Sequence, residues 1–253
     1  MSTKHRRERE FAERELLFID TAYRLMAEEG LLSLQMNRIA KECDYSVGTL
    51  YQHFISKEDL LLAMLTARAA ERIQLFGRVA NWTGSSRERI IAFVVADVCF
   101  TRQQPLFFHL NQYISTRVIS AATSPGQRDA AFRAYKPLAD LFQGVIDEAV
   151  NRGEISSTLT SYQLGAGLWS LTEGMHNLVH AQGLLETYQI ANPYSLLFYH
   201  VNALLNGLGW QPLQDPNDAE QSSTLIKRIV DEVFADLGFS AHSLFPQIDQ
   251  DVL

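Results

Sequence analysis

The sequence is poor in cysteine and proline, and it contains no long run of apolar residues. Its two cysteines, Cys43 and Cys99, fit neither a disulfide framework nor a zinc-binding spacing, so we predict free, buried thiols in a reducing compartment. No stretch approaches the ~18 uninterrupted apolar residues of a membrane helix. The charged amino terminus MSTKHRRERE lacks the apolar segment of a secretory signal. We therefore expect a cytoplasmic protein without a membrane partner.

The chain also lacks an excess of positive charge. It has 22 Lys and Arg against 29 Asp and Glu, which gives a net charge of −7. Overall electrostatics therefore does not favour binding to nucleic acid, and any anion-binding surface has to be local. With 253 residues, of which 47% are hydrophobic, the chain is long enough to bury a substantial core in one or two domains.

Motifs of enzyme chemistry are missing. We identify no nucleophile elbow, no phosphate-binding glycine loop and no pair of carboxylates with plausible catalytic roles, so we expect no enzyme activity and no cofactor. Glu173, His176 and His180 have a spacing that brings their side chains to one helical face. Because the helix offers no fourth ligand, we predict no metal site.

The apolar residues that are present recur at intervals of three and four, which predicts an all-α fold. Capping boxes, such as Ser85 with Glu88 and Thr160 with Gln163, mark helix starts. Pro137 lies inside one pattern and should kink or split that helix. The predicted helices lie near residues 8–29, 36–43, 47–53, 57–80, 86–103, 106–121, 126–152, 161–182, 193–208 and 218–237.

Two short helices, 36–43 and 47–53, are joined by a three-residue turn and have the dimensions of a helix-turn-helix, whose second helix enters the DNA major groove. Gly48 in that helix costs ~1 kcal/mol relative to alanine, so packing alone would not favour it. A missing side chain lets the backbone approach a groove or a phosphate. Lys57 occupies a first helical turn, where the helix dipole disfavours a cation, and this indicates an anion beside it. The predicted three-helix core consists of Ala22, Leu25, Ile39, Ala40, Val47, Leu50 and Phe54.

Four short motifs carry a family resemblance: Ile39-Ala40-Lys41, Ser46-Val47-Gly48-Thr49-Leu50-Tyr51, His53-Phe54 and Lys57-Glu58-Asp59-Leu60. With them, residues 10–62 resemble the DNA-binding signature of TetR-family transcriptional regulators. Ala22, Leu25 and Gly30 fit the first helix of that family. Asp44 departs from the glycine usual in the turn, and Tyr45 replaces a small aliphatic residue. The rest of the chain agrees only in length and helical character.

The resemblance implies a helix-turn-helix DNA-binding domain of three helices at residues 1–56. It also implies a larger helical domain for effector binding and dimerisation at 57–253. Val47, Gly48 and Thr49 would lie near base edges, and Tyr51, His53 and Lys57 near the DNA backbone. Gln35 and Asn37 would add phosphate contacts. We expect Tyr45 to be partly exposed and to reach the DNA.

The first residues of the chain carry a local excess of positive charge. Residues 1–60 have a net charge of −2, yet Lys4, Arg6, Arg7 and Arg9 oppose only Glu8 in the first nine residues. These residues fit either a mobile basic arm, which follows the DNA backbone or enters the minor groove, or a solvated tail.

Two further residue sets concern dimerisation and the effector. Apolar stripes in the helices 161–182 and 193–208 fit either a four-helix dimer interface or the chain's own core: Leu164, Leu168, Leu171 and Met175, with Leu197, Val201, Leu204 and Leu208. An aromatic-rich set fits either a pocket for a small apolar or aromatic effector or a solid core: Phe107, Phe108, Tyr113, Phe132, Tyr135, Phe142, Trp169 and His176.

These observations favour a ligand-responsive transcriptional regulator, a repressor that binds a palindromic double-stranded operator as a homodimer. Helix 57–80, ~36 Å long at 1.5 Å per residue, would act as the lever between its two parts. The alternative is a helical small-molecule-binding protein or enzyme whose helix-turn-helix is structural. A third possibility is a helix-turn-helix that binds a protein partner.

Overall fold

The structure, a computed structural model, describes residues 3–116, 121–181 and 183–245. All regular secondary structure within these residues is helical, which confirms the predicted all-α fold. Single turns of 3-10 helix occur at Leu31–Ser33 and Ala235–Leu237. The α-helices are α1 (Thr3–Glu29), α2 (Met36–Glu42), α3 (Val47–Tyr51), α4 (Lys57–Ala67), α5 (Ala69–Ala80), α6 (Ser86–Gln103), α7 (Pro105–Ile114), α8 (Pro125–Asn151), α9 (Ser161–His180), α10 (Leu184–Thr187), α11 (Pro193–Gly207), α12 (Ala219–Val233) and α13 (Ala241–Leu244).

Some helices differ from the predicted extent or continuity. Helix α1 begins at Thr3 rather than near residue 8, because ion pairs one turn apart, such as Arg6 with Glu10, support its first turns. The predicted lever helix is divided at Arg68 into α4 and α5, so it is not one continuous rod. Helix α8 runs through Pro137 without being split. Part of the predicted helix 106–121 lies outside the described residues.

The chain divides into two compact units. The N-terminal unit consists of the residues up to Ala70 together with Pro105–Lys136, and the C-terminal unit of Glu71–Gln104 together with the residues from Pro137 onward. This division does not coincide with the predicted boundary between residues 56 and 57. The reason is that α4 packs against α1 and α7.

Hydrogen bonds tie α4 into the N-terminal unit. The hydroxyl of Tyr23 in α1 donates to the carbonyl of Met64 at 2.6 Å. The hydroxyl of Tyr135 donates to the carbonyl of Leu65 at 2.9 Å, and the carboxylate of Asp59 accepts from the Ser124 amide at 2.6 Å. The core of this unit contains the predicted residues Ala22, Leu25, Ile39, Ala40, Leu50 and Phe54, all at most 2% exposed. Val47 lies at the rim instead.

Helix α6 forms the centre of the C-terminal unit, with nearly every one of its residues buried. The predicted capping boxes at Ser85 and Thr160 are confirmed at the starts of α6 and α9. The guanidinium of the fully buried Arg87 donates to the carbonyl of Trp210 at 2.8 Å and to the side-chain oxygen of Asn202 at 3.1 Å. Burial lowers the pKa of Arg87 to about 10, so the side chain remains charged at neutral pH.

The two cysteines are free and buried, as predicted. Burial raises the pKa of Cys99 to about 12, which makes its thiol inert. Within the described parts of the chain, no single helix is long and apolar enough to cross a membrane, although α6 and α7 meet the length and composition criteria as a bent pair.

Candidate nucleic-acid interface

The turn between α2 and α3 is built by local hydrogen bonds. The Tyr45 amide donates to the Ala40 carbonyl at 2.9 Å, and Asp44 adopts a left-handed conformation with φ of 58°. Aspartate tolerates this conformation better than most residues, so the departure from the expected glycine is accommodated. Ser46 caps α3, because its Oγ accepts from the Thr49 amide at 3.1 Å. The geometry is that of a helix-turn-helix.

The predicted contact residues lie mainly on the solvent-facing side of this unit. Gln35, Asn37, Gly48 and the 46% exposed Tyr51 are exposed, whereas Val47, Thr49 and Lys57 are partly buried. A Cβ atom added at Gly48 would meet only Ser46 Oγ, at an ordinary contact distance of 3.7 Å. Packing within the chain therefore gives no reason for a glycine at this position.

Tyr45 is 40% exposed, which confirms the predicted partial exposure. The edge of its ring meets Phe18 of α1 at a centroid distance of 5.5 Å. The guanidinium of Arg14 lies over the same ring at 5.6 Å. Helix α1 thus holds Tyr45 at the entrance of α3, with the outer part of the ring open to solvent.

Lys57 lies in the first turn of α4, directly after the N-cap Ser56, whose Oγ accepts from the Asp59 amide at 3.1 Å. No carboxylate of the described residues forms an ion pair with its ammonium group. Partial burial lowers the pKa of Lys57. A cation at this end of a helix is unfavourable unless an anion joins it, so the position is suited to a phosphate.

The structure corrects the placement of His53, which the resemblance put beside the DNA backbone. Its side chain is 0% exposed. The imidazole stacks on Phe11 at 3.8 Å and meets Phe18 edge-on at 5.4 Å, while its Nδ1 is 3.6 Å from a Glu15 carboxylate oxygen. Burial lowers the pKa of His53, and Glu15 offsets only part of this effect. In this structure His53 packs α3 against α1 and presents no ring atom to solvent.

The residues predicted for an effector pocket are divided between the two units. Phe107, Phe108, Tyr113, Phe132 and Tyr135 belong to the N-terminal unit, and Phe142, Trp169 and His176 to the C-terminal unit. Phe107 and Phe108 are buried, but Phe132 and Trp169 are 71% and 64% exposed. The two exposed side chains therefore do not line an enclosed cavity. Periodicity alone does not distinguish an outward aromatic side chain from an inward one, which is why the predicted set included them.

His176 belongs to a buried polar network in the C-terminal unit that joins four helices. Its Nε2 is 3.3 Å from a carboxylate oxygen of Asp97 in α6, and its Nδ1 is 3.1 Å from the hydroxyl of Tyr194 in α11. Arg72 of α5 donates to the other oxygen of Asp97 at 2.8 Å. Burial acts to raise the pKa of Asp97, but Arg72 and His176 outweigh it and lower the pKa to about 2. Asp97 was missed from sequence, although it is a lone acid in the apolar run VVADVCF.

A groove with a volume of about 370 Å³ lies beside α12 in the same unit. None of its lining residues belongs to the predicted effector set. An ion pair between Arg228 and Glu88 at 2.6 Å crosses part of it. The lining is mainly polar: Glu88, Gln214, Asp218, Glu220, Gln221, Thr224, Leu225 and Arg228. Among the described residues, no cluster of three or more His, Cys, Asp or Glu side chains is arranged to hold a metal ion.

Most residues predicted for the dimer interface lie in the chain's own core instead. Leu164, Leu168, Met175, Leu197 and Val201 are at most 7% exposed in the single chain, and Leu171, Leu204 and Leu208 are partly buried. The reason is that α9 and α11 pack on each other and α11 packs on α6. The exposed face of α9 carries Tyr162 and Trp169, which are 67% and 64% exposed.

The described geometry defines a helix-turn-helix domain attached to a larger helical part. Residues 18–64, from α1 to α4, match the model of the bacterial regulatory proteins of the tetR family. We conclude that this segment is a helix-turn-helix domain of the kind found in tetR-family regulators.

Curated relatives agree with this assignment. The chain is 51% identical over 53 residues to an HTH-type transcriptional regulator of Bacillus subtilis, YuxN; the alignment spans 21% of this chain and 18% of that protein. It is 23% identical over 141 residues to the fatty acid metabolism regulator protein of the same organism, across 56% of this chain and 70% of that protein.

Solved structures share the fold over a larger part of the chain. A TetR/AcrR-family regulator from Thermobifida fusca covers 77% of this chain and 98% of that chain, with a TM-score of 0.56 and 22% identity. FadR from Bacillus subtilis, in complex with stearoyl-CoA, covers 76% of this chain and 98% of that chain, with a TM-score of 0.57 and 17% identity.

The buried imidazole of His53 predicts a loss of stability in acid. Because its pKa is lower in the folded than in the unfolded state, where it is about 6.5, the unfolded chain binds more protons as the pH falls below that value. We expect the thermal midpoint Tm, followed by circular dichroism, to decrease from pH 7.5 to pH 5.5. This decrease should be smaller in His53→Phe, because a phenyl ring fills the same stack without titrating.

His200→Phe is the matched control, because His200 is an exposed histidine in α11. Its pH profile should follow that of the wild type. Equal pH dependence in all three proteins would show that His53 does not contribute.

Proposed function

We propose that the protein is a ligand-responsive transcriptional repressor that binds a palindromic operator as a homodimer. The observation that carries this proposal is Gly48, an exposed helical glycine for which packing within the chain gives no reason. Close approach of the backbone to DNA supplies such a reason, since a Cβ atom there would meet the groove.

In the proposed complex, α3 enters the major groove with Val47, Gly48 and Thr49 next to base edges. Thr49 Oγ1 shares a hydrogen bond of 2.9 Å with Ser46 Oγ, which orients the hydroxyl before DNA binds. Gln35, Asn37, Tyr45, Tyr51 and Lys57 surround this tip as candidate backbone contacts. His53 acts indirectly, through its stack with Phe11, by fixing α3 on α1.

Gly48→Ala should separate the needs of folding from those of DNA binding. Alanine favours the helix by up to about 1 kcal/mol relative to glycine, and the added methyl group makes only an ordinary contact with Ser46 Oγ, so we expect Tm to increase or stay unchanged. Affinity for a duplex selected by the wild type from a random-sequence pool should nevertheless fall about tenfold or more, because the methyl group displaces α3 from the groove. Fluorescence anisotropy measures the affinity.

Gly144→Ala provides the matched control. Gly144 is an exposed glycine inside α8, and a Cβ atom there meets nothing within 4 Å. This variant should keep wild-type DNA affinity. Wild-type affinity in Gly48→Ala as well would contradict the proposed reading face.

A second copy of the chain is proposed as the partner of the exposed face of α9. A single helix-turn-helix makes few contacts, and regulators of this type read two half-sites as dimers. Tyr162, Ala166 and Trp169 follow one another at intervals of four and three residues and therefore share this face. Large exposed aromatic side chains of this kind are typical anchors of protein interfaces.

Trp169→Glu should shift the dimer toward monomers, because it replaces a central aromatic contact with a charge in a desolvated interface. A weakening of the dimer by about 30-fold or more, which corresponds to a hot spot of about 2 kcal/mol, is expected in sedimentation velocity. Leu213→Glu is the control, because Leu213 is 56% exposed in the loop before α12. A dimer unaffected by Trp169→Glu would exclude this face.

We further propose that a small apolar or aromatic effector binds the C-terminal unit. Phe76, Phe93 and Phe142 form a cluster there with ring centroids 4.9 and 5.3 Å apart. The network of Asp97, His176 and Tyr194 in the same unit supplies polar groups that orient a ligand. Stearoyl-CoA, choline and resorcinol occur in complexes of structurally similar proteins and serve as probes of different chemistry.

Stearoyl-CoA or resorcinol should raise Tm and weaken DNA binding, whereas choline, a cation, should do neither. A ligand that binds only the folded protein, at a free concentration 100 times its dissociation constant, raises the free energy of unfolding by about 2.7 kcal/mol. Phe142→Ala should reduce this ligand-induced increase, and Phe132→Ala, at a 71% exposed position of the N-terminal unit, should not. An increase with choline alone, or with none of the three, would contradict an apolar or aromatic effector.

A further inference from the structure

Helix α1 extends upstream of the residues that match the family model, from residue 17 back to Thr3. Along this extension, one stripe of side chains recurs at intervals of three and four residues: Lys4, Arg7, Phe11, Arg14 and Phe18. At 3.6 residues per turn, these positions share one face of the helix. The stripe ends in Phe18, which is completely buried in the core of the helix-turn-helix.

Contacts along the stripe show what this face of α1 lies beside. Phe11 stacks on His53, two residues after α3, at 3.8 Å. Arg14 lies over the ring of Tyr45, two residues before α3, at 5.6 Å. The stripe on α1 therefore contacts the chain next to both ends of α3, the proposed recognition helix.

Beyond Phe11, toward the amino terminus, the stripe contains two more side chains, both of them cations. At 1.5 Å per residue, Arg7 lies ~6 Å and Lys4 ~10 Å beyond Phe11 along the helix axis. Both side chains are exposed. Arg7 forms no ion pair with any described residue, and the Lys4 ammonium is 4.0 Å from a Glu8 carboxylate oxygen with its side chain 82% exposed.

The other two cations of the extension lie on the opposite side of α1. Arg6 pairs with Glu10 and Arg9 pairs with Glu13, each at 3.4 Å. Their position follows from the helical repeat, because residues 6, 9 and 13 fall roughly half a turn away from the stripe. The four cations at the start of the sequence thus lie on two different sides of α1.

We propose that Lys4 and Arg7 bind DNA phosphates that flank the bases contacted by α3, and that they do so from a rigid helix rather than a mobile arm. This inference rests on the proposed function. The physical reason is that the strip of DNA next to a major-groove helix carries phosphates on both sides. Two cations held in register with α3 neutralise them without first ordering a flexible chain.

The experiment compares two double variants that remove the same charge from the same part of α1: Lys4→Ala with Arg7→Ala, and Arg6→Ala with Arg9→Ala. The probes are a duplex selected by the wild type from a random-sequence pool and a duplex of unrelated sequence. Dissociation constants are measured by anisotropy from 50 to 200 mM salt. Circular dichroism checks that α1 remains helical, as expected because alanine has the highest helix propensity.

We expect the slope of log K against log salt to become shallower by about 1.8 per subunit when Lys4 and Arg7 are removed, since each phosphate contact contributes about 0.9. The loss of affinity should be the same for both duplexes, because phosphates carry no sequence information. The Arg6 and Arg9 variant should keep the wild-type slope.

Equal slopes in the two double variants would overturn the proposal, whether both change, through bulk charge, or neither does. A changed ratio of affinities for the two duplexes would overturn the phosphate assignment in favour of base contacts in the minor groove. Lys57→Ala separates these outcomes from failure of the proposed function. Loss of affinity in that variant with equal slopes in the two double variants refutes only the role of Lys4 and Arg7. A wild type that selects no duplex refutes both.

Discussion

Helix α3 is five residues long and has no stability of its own, because an isolated helix needs roughly 12 residues or more to persist in water. Its conformation depends on packing against α1. Leu50 and Phe54 are completely buried below it, and His53 is enclosed between aromatic rings of α1. The capping hydrogen bond from the Thr49 amide to Ser46 fixes where the helix starts. Every exposed group on the proposed reading face takes its position from these contacts.

Dependence on α1 explains why residues far apart in sequence act on the same surface. Phe18 supports both Tyr45 and His53, so one buried ring orients the residues before and after α3. Arg14 restrains the outer side of Tyr45. A change at Phe18 or Arg14 of α1 would therefore alter the proposed reading face without removing a proposed DNA contact. The cations Lys4 and Arg7 belong to the same helix, so the packing of α1 against α3 also sets their position relative to α3.

The C-terminal unit is organised differently, around charges buried in and beside α6. Among the described residues, the guanidinium of Arg87 donates to neutral oxygens, and Asp97 is held between Arg72 and His176. Leaving a buried charge without its partners costs several kcal/mol, so a packing of α6 that broke these contacts would be less stable. An effector that binds beside the network of Asp97 would act on α5, α9 and α11 at once, because each of them supplies a member.

The amino-acid sequence by itself determined the all-α class, the helix-turn-helix, the capping boxes and the buried, unpaired cysteines. These features depend on interactions within a few residues or on the period of apolar side chains, both of which are visible in a sequence. Gly48 stood out for the same reason, since the cost of a glycine in a helix is local. Only the tertiary structure decided that His53 is buried, that Leu164 and Leu197 face their own core, and that Asp97 meets His176. Periodicity shows which side of a helix is apolar, but the neighbour that covers this side comes from a distant segment, and its identity is decided by packing.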